Sequence, residues 1–345
     1  MIERIEPEEF LKRSGYVPVI DVRSPKEFSQ GHIPSAENLP LFNDDERAIV
    51  GTIYNNSGRD AAILKGLELA GPKLADYVKK LLKIAPKKEA LLHCWRGGMR
   101  SEQMALLFET AGFTIAVLNG GYKNYRRIIR QKLSNEAKII ILGGLTGSGK
   151  TEILHALKDA GEQILDLEKI AHHKGSVFGA LGQEVQPTNE QFENNLFTEW
   201  AMFDFSKLIW IENESRMIGN ITIPDPLFEQ MTHAKIFVLD VPQEKRLSRV
   251  LEQYAQFRKD DLAESILKIS EKLGGTRTKE ALKAIEEDDF TTAARIALDY
   301  YDKAYYFATS KRGNNIIGML EVQEINPTAI AGQITGKMQQ LNQFL

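Results

Sequence analysis

Two spacings of apolar and polar positions alternate along this chain. Short apolar runs occur at Pro18-Val19-Ile20-Asp21-Val22-Arg23, Ala90-Leu91-Leu92-His93, Lys138-Ile139-Ile140-Ile141-Leu142-Gly143 and Lys207-Leu208-Ile209-Trp210-Ile211. Each is too short for a core helix and ends in charge, histidine or glycine, so each predicts a buried strand. Asp166-Leu167-Glu168 closes a further strand. Between them, Ser24-Pro25-Lys26-Glu27-Phe28 reads as a capped helical turn, and residues 101–112 and 152–160 carry helical periodicity. Strands alternating with helices predict an α/β fold.

A length of 345 residues predicts two domains, which we place at residues 1–135 and 136–345. Hydrophobic residues at 43% and charged residues at 26% are ordinary for globular chains, and no apolar stretch approaches the ~20 residues of a membrane span. The start, Met-Ile-Glu-Arg-Ile-Glu-Pro-Glu-Glu-Phe, lacks the apolar segment of a signal peptide, so a cytoplasmic location is expected. The single cysteine rules out an internal disulfide and a cysteine-based metal cluster. Six scattered histidines show no metal-ligand spacing, and His32 and His93 are expected in hydrogen-bonded structural roles. A net charge of -3 gives no global case for nucleic acid, which leaves Arg126, Arg127, Arg130 and Lys132 as a local basic run.

Two loops carry the candidate chemistry. In His93-Cys94-Trp95-Arg96-Gly97-Gly98-Met99-Arg100-Ser101 a thiol lies between a strand and a helix start. Helix amides and the guanidinium groups of Arg96 and Arg100 favour the thiolate, and Gly97 and Gly98 let the backbone close around an anion. Free cysteines are more often buried and inert, but two arginines and two glycines within six residues of the sulfur make a poor apolar core. The anion loop therefore comprises Trp95, Gly97, Gly98, Met99 and Ser101 around Cys94, Arg96 and Arg100.

The second loop, Gly144-Leu145-Thr146-Gly147-Ser148-Gly149-Lys150-Thr151, fits the Gly-x-x-x-x-Gly-Lys-Thr pattern between a strand and a helix. Its amides converge on phosphate oxygens, Lys150 supplies a point charge, and Thr151 with Glu212 can hold Mg²⁺, without a dedicated metal cluster. Glu212 or Glu214, after the strand at 208–211, stands where a Walker B acid is expected. Asp166 and Glu168 end a strand on the same expected sheet edge. These features by themselves fit a P-loop ATPase or kinase with a thiol-bearing module.

Asp21-Val22-Arg23-Ser24-Pro25, Glu27-Phe28, Gly31-His32-Ile33-Pro34, the cysteine loop and Leu118-Asn119-Gly120-Gly121-Tyr122 resemble a rhodanese domain over about residues 1 to 135. That family carries sulfur or selenium on the loop cysteine, here Cys94. The loop is one residue wider than usual, and Cys94-x-x-Gly97-x-x-Arg100-Ser101 also resembles the signature of cysteine-dependent phosphatases, which use an aspartic general acid as well. Both readings stand at this point.

Asp166-Leu167-Glu168, Ala171-His172-His173-Lys174-Gly175-Ser176-Val177-Phe178-Gly179, Glu212-Asn213-Glu214-Ser215-Arg216, Gly274-Gly275-Thr276-Arg277 and Asp299-Tyr300-Tyr301-Asp302 resemble the P-loop half of bacterial tRNA 2-selenouridine synthases. Lys174 stands where that family more often has arginine, which keeps the charge and loses the fork geometry. The resemblance implies a rhodanese-like α/β domain followed by a P-loop α/β domain with a helical C-terminal part. It further implies replacement of the sulfur of wobble 2-thiouridine in tRNA by selenium from selenophosphate, through an S-geranyl intermediate made from geranyl diphosphate. The P-loop would hold the diphosphate, supported by Asp166, Glu168, Lys174, Ser176, Glu212, Glu214 and Arg216, with no tightly bound cofactor. Cys94 would receive selenium while Arg96 and Arg100 hold the departing phosphate. The implied partners are that tRNA and a selenophosphate-producing enzyme, with no membrane. Trp200, Trp210, Tyr300 and Tyr301 are candidate stacking surfaces, and the tyrosine-rich stretch 300–307 is either a prenyl pocket or helical core.

Overall fold

The computed structural model describes residues 2–310 and 315–342, with side chains except at 307–310 and 341–342. It divides into two compact units, Met1–Leu133 with Glu193–Thr198, and Ser134–Phe192 with Glu199–Leu345.

The first unit is built on five parallel strands in the order Glu3–Ile5, Thr114–Leu118, Glu89–His93, Val19–Asp21, Glu37–Asn38. Along the central strand Ala90, Leu92 and then Cys94 join Met104, Phe108 and Val117 in the core of one face. Leu91 joins Phe10, Tyr122 and Ile129 on the other. Burial of both faces is why the run carries no polar alternation. Cys94 thus leaves the sheet at the carboxyl end of a central strand, next to the reversal of strand order where open parallel sheets place their ligands.

The helix after Cys94 spans Met99–Thr110, starting two residues ahead of the periodicity, so Arg100 and Ser101 occupy its first turn. Helix Pro25–Gln30 opens with a capping box: Ser24 Oγ accepts from the Glu27 amide at 3.4 Å and Glu27 accepts from the Ser24 amide at 3.1 Å, with Pro25 at the first helical position.

Segment Glu193–Thr198 belongs with the first unit although the sequence reading ran the second domain through it. The fully buried Asn194 side chain explains this. Its amide donates to His32 O at 2.8 Å and to Tyr122 Oη at 2.7 Å, and its oxygen accepts from Arg126 Nη1 at 2.7 Å. No periodicity in sequence announces such a graft.

The second unit has five parallel strands in the order Ile316–Glu321, Lys235–Asp240, Lys138–Gly144, Leu208–Glu212, Gln163–Leu165. Register pairs Leu142 with Glu212, and the Asn213 amide donates to Leu142 O at 3.1 Å, so the glycine loop and the candidate Walker acid emerge side by side. Helices Gln243–Tyr254, Lys259–Lys268, Gly275–Glu286 and Phe290–Ser310 form the helical part, packed around Leu262, Ile266, Ala281, Ile285 and Ile296. Among the described residues no helix is long and apolar enough to cross a membrane.

Candidate functional site

In the first unit Cys94 is 3% exposed. Its Sγ lies 3.3 Å from Ser101 Oγ and 3.9 Å from Gly98 O, and the same hydroxyl lies 3.0 Å from Gly98 O. A hydroxyl has one hydrogen to give. It can go to sulfur or to Gly98 O, so Ser101 is placed to donate to Cys94 from the first turn of helix Met99–Thr110.

The loop closes through glycine. Gly97 has φ +65°, and a Cβ there would stand 2.6 Å from Leu118 O and 2.9 Å from Gly121 N. The opposing segment is tied on by Tyr122 N to Cys94 O and Lys123 N to Trp95 O, each at 2.9 Å. This crossing is the role of Asn119-Gly120-Gly121-Tyr122, which the sequence showed only as a resemblance.

Arg100 donates to Glu27 at 2.6 and 3.2 Å, and Arg47 Nε is 3.7 Å from the same carboxylate. Burial opposes the charge on both partners, yet their pairing keeps the Glu27 carboxyl below its usual range and the Arg100 guanidinium above its own. Arg96 is exposed and makes no ion pair among the described residues, and Met99 is exposed against Arg59 at 3.7 Å. The charge of Arg23, which ended the predicted strand, turns inward. It pairs with Asp21 at 2.6 Å, donates to Gly31 O at 2.7 Å and stacks 3.9 Å from the Tyr122 ring.

His93 is packed rather than hydrogen-bonded. Phe10 and Tyr122 flank it, Nε2 is 3.8 Å from Asp21, and neither ring nitrogen has a hydrogen-bond partner among the described residues. Desolvation pushes its pKa down to about 4, so the ring is neutral.

In the second unit Gly147 and Gly149 sit at φ +81° and +77°, a region that spares only glycine strain. Lys150 Nζ donates to Gly144 O at 3.0 Å and Leu145 O at 3.5 Å, and the fully buried Ser148 Oγ has no partner among the described residues. An orphaned hydroxyl beside a lysine resting on carbonyls suits a loop that receives an anion.

Thr151 Oγ1 is 3.1 Å from Glu168 and 3.3 Å from Glu212, and the Glu168 amide donates to Glu212 at 3.2 Å. Oxygens of Glu168, Glu212 and Glu214 lie within 4.8 Å of one another. The sequence offers Mg²⁺ Thr151 with Glu212 or Glu214 and no protein cluster; the fold brings both glutamates together and adds Glu168 from the first turn of helix Leu167–Ala171. Burial, together with repulsion among these glutamates and from Asp166, pushes Glu168 up to about 7 and Glu214 up to about 8, with Glu212 raised as well, while Lys150 opposes the shift at Glu168 and Glu214. Hard oxygen donors in excess of nearby positive charge fit a divalent cation.

Gly175 has φ +68°, and a Cβ there would stand 2.9 Å from Glu168 Oε1 and 3.0 Å from Glu214 Oε1. The Lys174-Gly175-Ser176 loop therefore lies on the triad, with Lys174 exposed and Ser176 Oγ accepting from Phe178 N at 3.3 Å. Asp166 serves elsewhere, capping Leu167–Ala171 through Lys169 N at 2.8 Å and meeting His155 at 2.6 Å. Exposed Arg216 pairs with Asp225.

Helix Phe290–Ser310 braces the glycine loop. Gly144 N donates to Tyr305 Oη at 2.9 Å, and Val177 N donates to Tyr301 Oη at 2.7 Å. Asp302 holds the buried Arg246 at 2.7 and 3.0 Å, and Arg246 reaches Thr146 O at 3.2 Å. Asp299 accepts from Arg277 at 2.7 Å and Gln243 at 2.9 Å. The sequence singled out Asp299-Tyr300-Tyr301-Asp302 and Arg277 without showing these long-range partners.

A small apolar cavity of about 40 Å³, open to solvent, lies among Phe178, Val250, Leu251, Tyr254, Leu262 and Ala294. Val250 also borders the glycine loop, 3.1 Å from where a Gly147 Cβ would stand. Of the two readings of the tyrosine stretch, Tyr300 fits the helical core: it packs against that core and edge-on to Tyr301, with centroids 5.1 Å apart, and the Phe307 side chain lies outside the described residues.

Of the candidate RNA contacts, Arg126 is withdrawn from the surface, while Arg127 and Arg130 stay exposed. Arg126 is buried against Asn194 and Glu193, Arg130 meets Glu193 at 2.9 Å, and Arg127 meets Asn124 at 2.9 Å. Trp200 and Trp210 are each 1% exposed and belong to the core.

Residues 137–331 match the family described as tRNA 2-selenouridine synthase AAA domain, and residues 6–128 match the rhodanese-like domain. A tRNA 2-selenouridine synthase of Aeromonas salmonicida is 40% identical over 69% of this chain and 65% of its own length. Those of Shewanella frigidimarina and Nitrosomonas europaea are 33% and 31% identical, each over 90% of this chain and over 93% and 91% of their own lengths. With both domains matched in order and relatives aligned nearly end to end, the chain belongs to the tRNA 2-selenouridine synthase family.

Proposed function

We propose that this protein replaces the sulfur of wobble 2-thiouridine in tRNA with selenium, in two steps served by its two loops. The observation that carries the first step is the shared wall of the second unit, where Val250 borders both the phosphate nest and an apolar cavity. A diphosphate head with a hydrocarbon tail matches that pair of surfaces, and geranyl diphosphate is the proposed substrate. The thione sulfur attacks C1 of the geranyl group; the S–C bond forms, the C–O bond breaks, diphosphate leaves with the electron pair, and the base gives up its N3 proton. Lys150 and the loop amides receive the diphosphate charge.

Thr151, Glu168, Glu212 and Glu214 would hold Mg²⁺, which would neutralise diphosphate charge when bound. In the second step hydroselenide derived from selenophosphate adds at C2, geranylthiolate leaves and takes up a proton, and the hydroselenide proton ends on N3. Alkylation matters because a thioether-bound sulfur leaves far more readily than a thione. The setting is cytoplasmic, where a selenophosphate-producing enzyme supplies the donor.

Nucleoside mass spectrometry of 2-thiouridine tRNA incubated with protein, geranyl diphosphate and selenophosphate tests the reading. Geranylthiouridine and then selenouridine are expected. Unchanged tRNA with phosphate release from ATP would move the protein to the P-loop ATPase or kinase class. Ala294→Trp, which fills the cavity, is expected to cut the preference for geranyl diphosphate over inorganic diphosphate at least about tenfold, because each buried CH₂ contributes about 0.8 kcal/mol.

A further inference from the structure

We propose that Cys94 attacks phosphorus, not selenium, so that its loop splits the Se–P bond of a selenophosphoryl group and releases hydroselenide. This rests on the reading of selenophosphate as donor.

Electron counting separates the two possible attacks. In selenophosphate selenium is at the selenide level and is bound to phosphorus(V). Attack of a thiolate on selenium would form a perselenide, oxidising the chalcogens by two electrons and leaving phosphorus as phosphite. Selenouridine again holds selenium at the selenide level, so that oxidation would have to be reversed by a reductant. Attack on phosphorus needs neither. The S–P bond forms, the Se–P bond breaks, and hydroselenide leaves with the electron pair; water then attacks phosphorus, phosphate departs, and the Cys94 thiolate is regenerated.

The loop is built for that sequence. Six positions separate Cys94 from Arg100, the wider spacing that phosphoryl transfer uses. Glu27 fixes Arg100 in the first helical turn through two hydrogen bonds at 2.6 and 3.2 Å, while Arg96 stands exposed beside the loop. Ser101 Oγ, 3.3 Å from Sγ, can donate to the sulfur as it leaves phosphorus in the second step.

The carboxylates acting on Arg100 point the same way. Glu27 is held by Arg100 and Asp21 by Arg23, so both are ionised and neither can serve as a general acid. An alkoxide would need such an acid to leave phosphorus; hydroselenide, the conjugate base of a much stronger acid, leaves without one. The combination of a thiol, fixed arginine and ionised carboxylates therefore selects for an acidic leaving group.

The test follows selenophosphate with full-length protein, 2-thiouridine tRNA and geranyl diphosphate, reading products by ³¹P NMR and Cys94 adducts by intact mass spectrometry. Inorganic phosphate is expected, with a Cys94 adduct that contains phosphorus and lacks the broad isotope envelope of selenium. Ser101→Ala should accumulate this adduct, and Arg100→Lys should slow Se–P cleavage about 10²–10³-fold, as for loss of one oxyanion donor. A selenium envelope on Cys94 together with phosphite overturns the proposal. So does undiminished phosphate release by Cys94→Ser, which would leave the donor assignment intact. If wild-type protein consumes no selenophosphate, the donor assignment fails and the proposal with it.

Discussion

The two anion loops share a position, the carboxyl end of a central parallel strand, and differ in how their charge is balanced. Around Cys94 the inward-facing arginines are already paired, Arg100 with Glu27 and Arg23 with Asp21, both at 2.6 Å, while Arg96 stands exposed beside them. Around Lys150 three carboxylates crowd within 4.8 Å of one another, and burial, together with repulsion from neighbouring carboxylates, raises their pKa values. A balanced loop can hold and transform a small group by itself, whereas an acid-rich loop calls for a cation alongside its phosphate. Similar glycine spacing thus conceals opposite electrostatic designs.

The sharpest way to break this comparison is to disable each loop separately. Lys150→Ala is expected to lower S-geranylation at least about 10³-fold while Se–P cleavage persists, because the lysine meets diphosphate charge only in the second unit. Cys94→Ser is expected to lower selenation by a similar factor and to let geranylthiouridine accumulate. Quantifying both nucleosides in each variant checks the separation. Loss of both products in both variants would mean that the loops act as one site.

The braces offer a second test, on stability. Arg246 is 2% exposed, pairs with Asp302 at 2.7 Å and reaches Thr146 O at 3.2 Å, so it ties helix Phe290–Ser310 to the glycine loop. Asp302→Ala would strand a buried guanidinium and is expected to cost about 3–5 kcal/mol. Denaturant unfolding measures this, and the geranyl diphosphate KM should rise along with it. Glu27→Gln, at a pair with a fifth to a quarter of each side chain exposed, should cost less stability.

These partners also mark where the sequence stopped being informative. Strands, the glycine nest and the thiol loop were legible because each is written in a few consecutive residues whose spacing has a local cause. Glu27 lies 73 positions from Arg100, and Arg246 lies 56 from Asp302. Each pair joins two helices far apart in the chain, a meeting that periodicity does not encode. Arg126 shows the same limit from the other side. In sequence it belongs to a basic run open to RNA; in the fold the buried Asn194 and Glu193 claim it. Trp210 read as a stacking surface for the same reason, since a strand residue's ring carries no sign of which face is covered.

A smaller effect sharpens the contrast through pH. His93 is buried and neutral, its pKa pushed down from 6.5 to about 4, chiefly by desolvation. Below pH 6.5 the unfolded chain takes up a proton at this position that the folded chain refuses until about pH 4. Acid therefore favours unfolding, and stability falls as pH drops through that window, by about 1.4 kcal/mol at pH 5.5. Asp21, also buried, is held below its usual value of 3.8 by His93 and Arg23 against the opposing effect of burial, so it adds a loss of the same sign at still lower pH. Hydrogen exchange at the Leu91 and Leu92 amides reads the first unit by itself. His93→Phe keeps an aromatic ring between Phe10 and Tyr122 and removes the titration, so it should flatten the dependence between pH 6.5 and 4. An unchanged slope in that variant would assign the acid sensitivity to other groups and would remove His93 from the charge-balanced design of the first loop.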